Sequence, residues 1–280
     1  MRRVLAFACA LVIQLTYPAL ADSSVKTAIS VEELFNEANN ARHAGNHEKA
    51  FALYKQAAEK GDAYSQYNLS LMYREGIGVK QDRELGKEWL LKAANNDFAI
   101  AQYTLGQMYM SGEFVKQDFG MAALWWEKAA NLNYAFAATN LANLYDAGRG
   151  VPKNRHKALE LRTKAAEQGD TLAQTQLGAM YAEGDWVEKD FKQAEKWWRK
   201  AAEQGYAKAQ HNLGLMYAKG DGLNKNYIEA YAWLSTSLKC GDITAQQDLD
   251  LTSSYIDNKL LPKAKLLAEA HIRQWCPSQQ

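Results

Sequence analysis

The chain has 280 residues, with 33 Lys+Arg against 32 Asp+Glu and three Cys. An apolar share of 48% and a charged share of 23% exclude a disordered chain, and so few Cys exclude a disulfide scaffold. A formal net charge of +1 gives no electrostatic reason to expect nucleic acid or an anionic membrane as the main partner.

The first segment reads as an address. Met1-Arg2-Arg3 is a short basic start, Val4 to Leu15 is almost wholly apolar, and Pro18 precedes Ala19-Leu20-Ala21. This is the order of a secretory signal peptide over residues 1–21, cleaved after Ala21. The apolar run is about a dozen residues, whereas a spanning helix needs about 20. A periplasmic or secreted chain is therefore expected, with no membrane insertion after cleavage. Residues 22–30 are read as a flexible N-terminal segment.

Residues 31–60 form a short hairpin, marked by Ala41, Gly45, Ala50, Tyr54 and Ala57-Ala58. Strict repetition follows over residues 61–241. Tyr73, Tyr109, Tyr145, Tyr181 and Tyr217 are spaced by 36 residues, and so are Leu69, Leu105, Leu141, Leu177 and Leu213. Gly76, Gly112, Gly148, Gly184 and Gly220 keep the same step. Such a period predicts an all-α, right-handed solenoid of stacked helix-turn-helix repeats.

Within a copy, Ala101, Leu105 and Tyr109 give the first helix one apolar face, and Gly112 stops it. Asp82, Asp118, Asn154, Asp190 and Asn226 are placed to cap the second helix. That helix carries Ala122, Trp125 and Ala129, and Gly169, Gly205 or Gly241 closes it. Copy three holds Leu161 where the others have Trp. Residues 242–280 lose the Tyr and Gly markers and read as a helical cap divided near Pro262.

The run Ala207-Lys208-Ala209-Gln210-His211-Asn212-Leu213-Gly214-Leu215-Met216-Tyr217, with its Trp-x-x-Lys-Ala-Ala counterpart in other copies, resembles the Sel-one-like repeat, a longer-loop cousin of the tetratricopeptide repeat. The resemblance covers residues 61–241, and residues 31–60 are closer to a tetratricopeptide hairpin. It implies a non-enzymatic adaptor for a protein or extended peptide, in envelope signalling, secretion or host contact.

If the copies stack as in tetratricopeptide arrays, the first helices line a concave groove. The phase before the repeated Leu reads Asn68, Thr104, Asn140, Gln176 and Asn212, all polar and uncharged. Such a ladder could grip a peptide backbone, although each position alone is equally a solvated helix residue. Tyr64 and Tyr67 are candidate anchors, while most of the set Tyr64, Ile100, Phe136, Leu172 and Lys208 is expected to pack between repeats. Phe114 and Trp186 replace the second loop Gly and should project, which keeps a cell-wall glycan partner open. The second member of Trp125-Trp126 and of Trp197-Trp198 is expected to be half exposed, with core packing the favoured role.

No cofactor or metal site is indicated. His43 and His47 flank the Gly45-Asn46 turn and lack a third ligand. The resemblance also implies, as a remote alternative, penicillin binding or weak β-lactamase-like activity; Ser23-Ser24-Val25-Lys26 echoes the motif this needs, but neither companion motif occurs. Cys240 and Cys276 are one repeat step apart, so a disulfide would pin the cap to the solenoid.

Overall fold

The computed structural model describes residues 29–276. The expected signal peptide, residues 22–28 and the Ser23–Lys26 motif lie outside the described residues. Fourteen α-helices and no strands occur among the described residues. They pair as hairpins: α1 (Val31–His43) with α2 (His47–Glu59), α3 (Ala63–Glu75) with α4 (Arg83–Asn95), and α5 (Ala99–Ser111) with α6 (Phe119–Asn131). Then come α7 (Ala135–Ala147) with α8 (Arg155–Glu167), α9 (Thr171–Glu183) with α10 (Phe191–Glu203), and α11 (Ala207–Lys219) with α12 (Tyr227–Lys239). The last two are α13 (Ala245–Ser254) and α14 (Leu261–Trp275). From α1 to α13 each helix packs on the next, and α14 packs back on α12, so the chain is an all-α helical repeat solenoid.

Local chemistry sets the helix ends. The carboxylate or amide oxygens of Asp82, Asp118, Asn154, Asp190 and Asn226 accept backbone N–H bonds from the first turns of α4, α6, α8, α10 and α12. Gly76, Gly112, Gly148, Gly184 and Gly220 end α3, α5, α7, α9 and α11 in the left-handed conformation.

Small residues bring neighbouring helices together. Ala93, Ala129, Ala165 and Ala201 are fully buried, and Leu69, Leu105, Leu141, Leu177 and Leu213 fill the space beside them. A buried amide ties four of the layers. The Nε2 groups of Gln66, Gln102, Gln174 and Gln210 donate to the carbonyls of Ala58, Ala94, Ala166 and Ala202 at 2.9–3.1 Å. Each bond ties the amide to a carbonyl at the end of the preceding helix; those of Ala58, Ala166 and Ala202 also accept the backbone N–H of Gly61, Gly169 and Gly205, so the amide fills a second lone pair. Copy three has Ala138 at that phase, and there the Thr139 hydroxyl donates instead to Asp170 Oδ2 at 2.6 Å.

The second Trp of each tandem is buried, not half exposed: Trp126 and Trp198 keep only 3% and 8% of their surface. The reason lies opposite them. A Cβ on Gly106 would stand 2.3 Å from the Trp126 ring, and one on Gly178 would stand 2.5 Å from the Trp198 ring. The missing side chains let each indole lie against the first helix, where its N–H donates to the carbonyl of Tyr103 (3.2 Å) or Thr175 (3.1 Å).

Nor do Phe114 and Trp186 project. Both are half-buried, with φ of +63° and +66°. Each loop rests on the first residue of the preceding second helix. Gly150 and Gly222 press on Phe119 and Phe191, and a Cβ on either would come within 2.2 Å of those residues. Where the loop residue is Phe114 or Trp186, the first helical residue is Arg83 or Arg155, whose guanidinium lies 5.0 or 4.9 Å from the ring centre. The aromatic group therefore alternates from one side of this contact to the other along the chain.

The C-terminal cap docks through α14. Trp233 of α12 stacks on Trp275 at 5.0 Å, and His271 stands 4.5 Å from Trp233. Cys240 and Cys276, at the ends of α12 and α14, form a disulfide with Cα atoms 5.5 Å apart. On the other side of the cap, buried His211 of α11 lies between two carboxylates. Its Nδ1 is 2.9 Å from Asp242 and its Nε2 is 2.8 Å from Asp248. Burial alone would push the Asp242 carboxyl up, but hydrogen bonds from Thr244 and His211 hold it below its ordinary value.

Candidate binding surface

The odd-numbered helices α3 to α11 place the five polar ladder residues at matching positions, each half-buried. Most of their polar groups already have partners within the chain. Asn68 Nδ2 donates to the Tyr64 carbonyl at 2.9 Å, and the Thr104 hydroxyl donates to the Ile100 carbonyl at 2.7 Å. Asn140 Nδ2 reaches the Tyr103 hydroxyl at 3.4 Å. Gln176 Oε1 accepts from Arg162 Nε at 2.9 Å. Two open depressions remain beside the ladder. One, of about 480 Å³, is bordered by Arg74, Thr104, Gln107, Trp126 and Asn140. The other, of about 270 Å³, is bordered by Phe191, Trp198, Asn212, Met216 and Lys219.

Arg162, on α8, supports Gln176 of this row and was not legible from the repeat. It occupies the phase of Trp126 and Trp198 and is 4% exposed. Its Nη2 donates to Asn143 Oδ1 at 3.2 Å and pairs with the Asp146 carboxylate. A buried guanidinium is tolerable only with such partners. The one sequence signal was a cation standing at a core phase.

A second row is more available. Tyr64, Ile100, Phe136 and Leu172 are 57%, 36%, 53% and 37% exposed, and Lys208 is exposed too. Most of the set is expected to pack between repeats, whereas all five lie open, Tyr64 as an anchor should. All five are the second residue of an odd-numbered helix. A helical side chain leans toward the N-terminus, so one in the first turn overhangs the helix end and meets little of its neighbour.

This row is joined to further aromatics. Tyr64 lies 5.9 Å from Phe35 and 4.6 Å from Phe98, and Tyr67 is 5.4 Å from Phe98. Tyr103, Tyr134 and Phe136 form the next group, with centroids 5.1–6.4 Å apart. Burial keeps the Tyr134 hydroxyl protonated beyond its ordinary range, with nearby Tyr103 and Tyr67 acting the same way. Sequence reasoning reached Tyr64 and Tyr67 but missed Phe98, Tyr134 and Phe136. A signal existed: Phe98 and Tyr134 occupy helix N-cap positions and make no side-chain cap bond, where Asp62 and Asp170 do.

Other chemistries find little support here. Phe114 holds two guanidiniums, those of Arg74 at 5.3 Å and Arg83 at 5.0 Å, so it is not a free platform for a sugar ring. His43 ends α1 and His47 begins α2. Among the described residues no group of three or more His, Cys, Asp or Glu is placed to hold a metal ion. No described helix is long and apolar enough to cross a membrane.

A stack of helix hairpins with an extended, partly aromatic face is a repeat scaffold of the kind that presents surface rather than a catalytic cleft. The Sel1 repeat family model matches residues 43–62, 63–98, 99–134, 135–170, 171–206 and 207–242, and the chain belongs to that family. The match at 43–62 takes in the second helix of the first hairpin. The chain is 30% identical to a Sel1 repeat protein from Oxalobacter formigenes, covering 85% of this chain and 96% of that one, with a TM-score of 0.72. It is also 30% identical to c5321, a protective antigen of uropathogenic Escherichia coli strains with an SLR fold. That match covers 89% of this chain and 62% of the antigen, with a TM-score of 0.56. None of the curated proteins matches the chain. Sel1 repeats generally mediate protein–protein interaction, and the scaffold is typically non-catalytic.

Proposed function

We propose that this chain is an exported adaptor that holds a protein or peptide partner along the face of its odd-numbered helices. The observation that carries the reading is the open row Tyr64, Ile100, Phe136 and Leu172 on four successive repeats. Large apolar groups repeated beside shallow polar depressions offer anchors at regular intervals, and exposed Tyr is a favoured anchor at interfaces. The N-terminal half carries most of the aromatic area and so supplies the main anchoring site. Export is supported by the basic start, the short apolar run and the small residues before Asp22.

The test is capture from an envelope extract with wild-type bait and with bait carrying Tyr64→Ser, Ile100→Ser and Phe136→Ser. A melting curve of the variant, run alongside, separates loss of the surface from loss of the fold. A partner held by the wild type should be lost, with about tenfold or greater weakening once it is purified. The same proteins retained on both baits would refute this surface. A mature N-terminus other than Asp22 in the periplasmic or culture fraction would refute the export route.

A further inference from the structure

The loops that join the paired helices carry their own row of aromatic rings and guanidiniums. In three consecutive layers a guanidinium lies over an aromatic ring. Arg83 is 5.0 Å from Phe114, Arg149 is 5.7 Å from Phe119, and Arg155 is 4.9 Å from Trp186. None of these three cations has a carboxylate partner among the described residues. An Arg laid on a ring keeps its in-plane N–H donors pointing outward and loses little further freedom on binding a planar anion.

Charge gathers at the middle layer. The stretch Arg149-Gly150-Val151-Pro152-Lys153-Asn154-Arg155-His156 contains three fixed cations and one His but no acid. Arg149, Lys153, Arg155 and His156 are all exposed. Yet the chain as a whole is nearly neutral. Such a local excess, set on rings that hold it in place, is what a carboxylate-bearing ligand recognises.

We propose that this row binds a short acidic segment of a partner protein, with Arg149 and Arg155 as carboxylate receptors and Lys153 between them. The flanking loops decide against longer polyanions. Glu113 stands on one neighbouring loop, and Asp185 and Glu188 on the other, all exposed. Nucleic acid or an anionic bilayer spreads charge evenly and would meet these carboxylates, whereas a short peptide places its acids only over the basic layer.

The experiment measures fluorescence anisotropy of labelled hexaglutamate with the full chain at low and at raised salt. Wild type should bind and weaken steeply with salt. The triple variant Arg149→Gln, Lys153→Gln, Arg155→Gln should bind about tenfold or more weakly with an unchanged melting curve, since all three side chains are exposed. A second variant, Arg149→Glu with Arg155→Glu, should lose hexaglutamate and gain hexalysine, an outcome that misfolding cannot produce. Phe136→Ser should leave hexaglutamate binding intact. The proposal is overturned if wild type shows no salt-sensitive binding, or if the Gln variant keeps its affinity. It is equally overturned if phosphatidylglycerol vesicles or a thymidine oligonucleotide bind more tightly than the peptide.

Discussion

His271 makes the C-terminal cap sensitive to acid. The ring is 8% exposed, lies against Trp233 and Trp275, and its buried Nδ1 has no hydrogen-bond partner. Burial, helped by the positive charge of Arg199, lowers its pKa from 6.5 to about 4. A base whose pKa is depressed by folding must bind its proton more readily in the unfolded chain. The stability it contributes is complete above pH 6.5 and falls as pH drops toward 4. Linkage between these two values gives a loss of about 2 kcal/mol by pH 5 and about 3 kcal/mol at the acid limit. The perturbation is His271→Phe, which keeps a ring in the cluster and removes the titration. Urea unfolding, followed by Trp fluorescence at neutral pH and at about pH 5, should show wild type losing about 2 kcal/mol more than the variant. Because other carboxylates titrate in the same range, only this difference between the two proteins is diagnostic. Equal pH dependence in both would refute the assignment of a neutral, desolvated imidazole.

Other expectations follow from single contacts. Gln174→Leu should cost about 1–3 kcal/mol in thermal or urea unfolding, because it removes two bonds between neighbouring helices, from Gln174 Nε2 to the Ala166 carbonyl and from Gln204 Nε2 to Gln174 Oε1; an unchanged midpoint would deny the amide tie its role. Gly178→Ala puts a methyl 2.5 Å from the Trp198 ring and should lower stability by about 1–3 kcal/mol with a shift in Trp emission. Gly150→Phe should be similarly costly, and adding Phe119→Arg should recover about 1 kcal/mol or more in a double-mutant cycle, because the pair then matches its neighbouring layers. Reducing the Cys240–Cys276 bridge, which closes a 36-residue separation, should lower the protection of α14 amides by about 3–4 kcal/mol in hydrogen exchange.

Much of the architecture was legible because it is written locally. Asp118 caps α6 and Gly112 ends α5 through bonds within a few residues, so their types and spacing predict the hairpins. The polar ladder was legible as a phase, but its bonding was not. That Asn68 turns back on the Tyr64 carbonyl and Gln176 serves Arg162 depends on rotamers and on neighbouring helices. The angle of Trp126 on its helix predicts half exposure, with core packing its favoured role. Its burial depends on Gly106, twenty residues earlier, leaving a space of the right shape. Ile100 and Phe136 were assigned to the core by apolarity, yet the helix end leaves them uncovered. In each case a position within one helix was correct, and the surface it met was supplied from elsewhere.

The alternation at the loop contacts means that neighbouring repeats are not interchangeable. Copies with a Gly loop and an Arg start (Gly78 with Arg83, Gly150 with Arg155) are followed by copies with an aromatic loop and a Phe start (Phe114 with Phe119, Trp186 with Phe191). Excising residues 135–170 would bring Phe119 under Trp186, two rings where one fits, and excising residues 99–134 would leave Arg83 facing Gly150, with no ring at all. Among the first four copies, removing or duplicating two consecutive ones restores every pairing. The unit by which such a chain can lengthen or shorten without repair is therefore the repeat pair, and its evolutionary grammar is dimeric although its helical period is single.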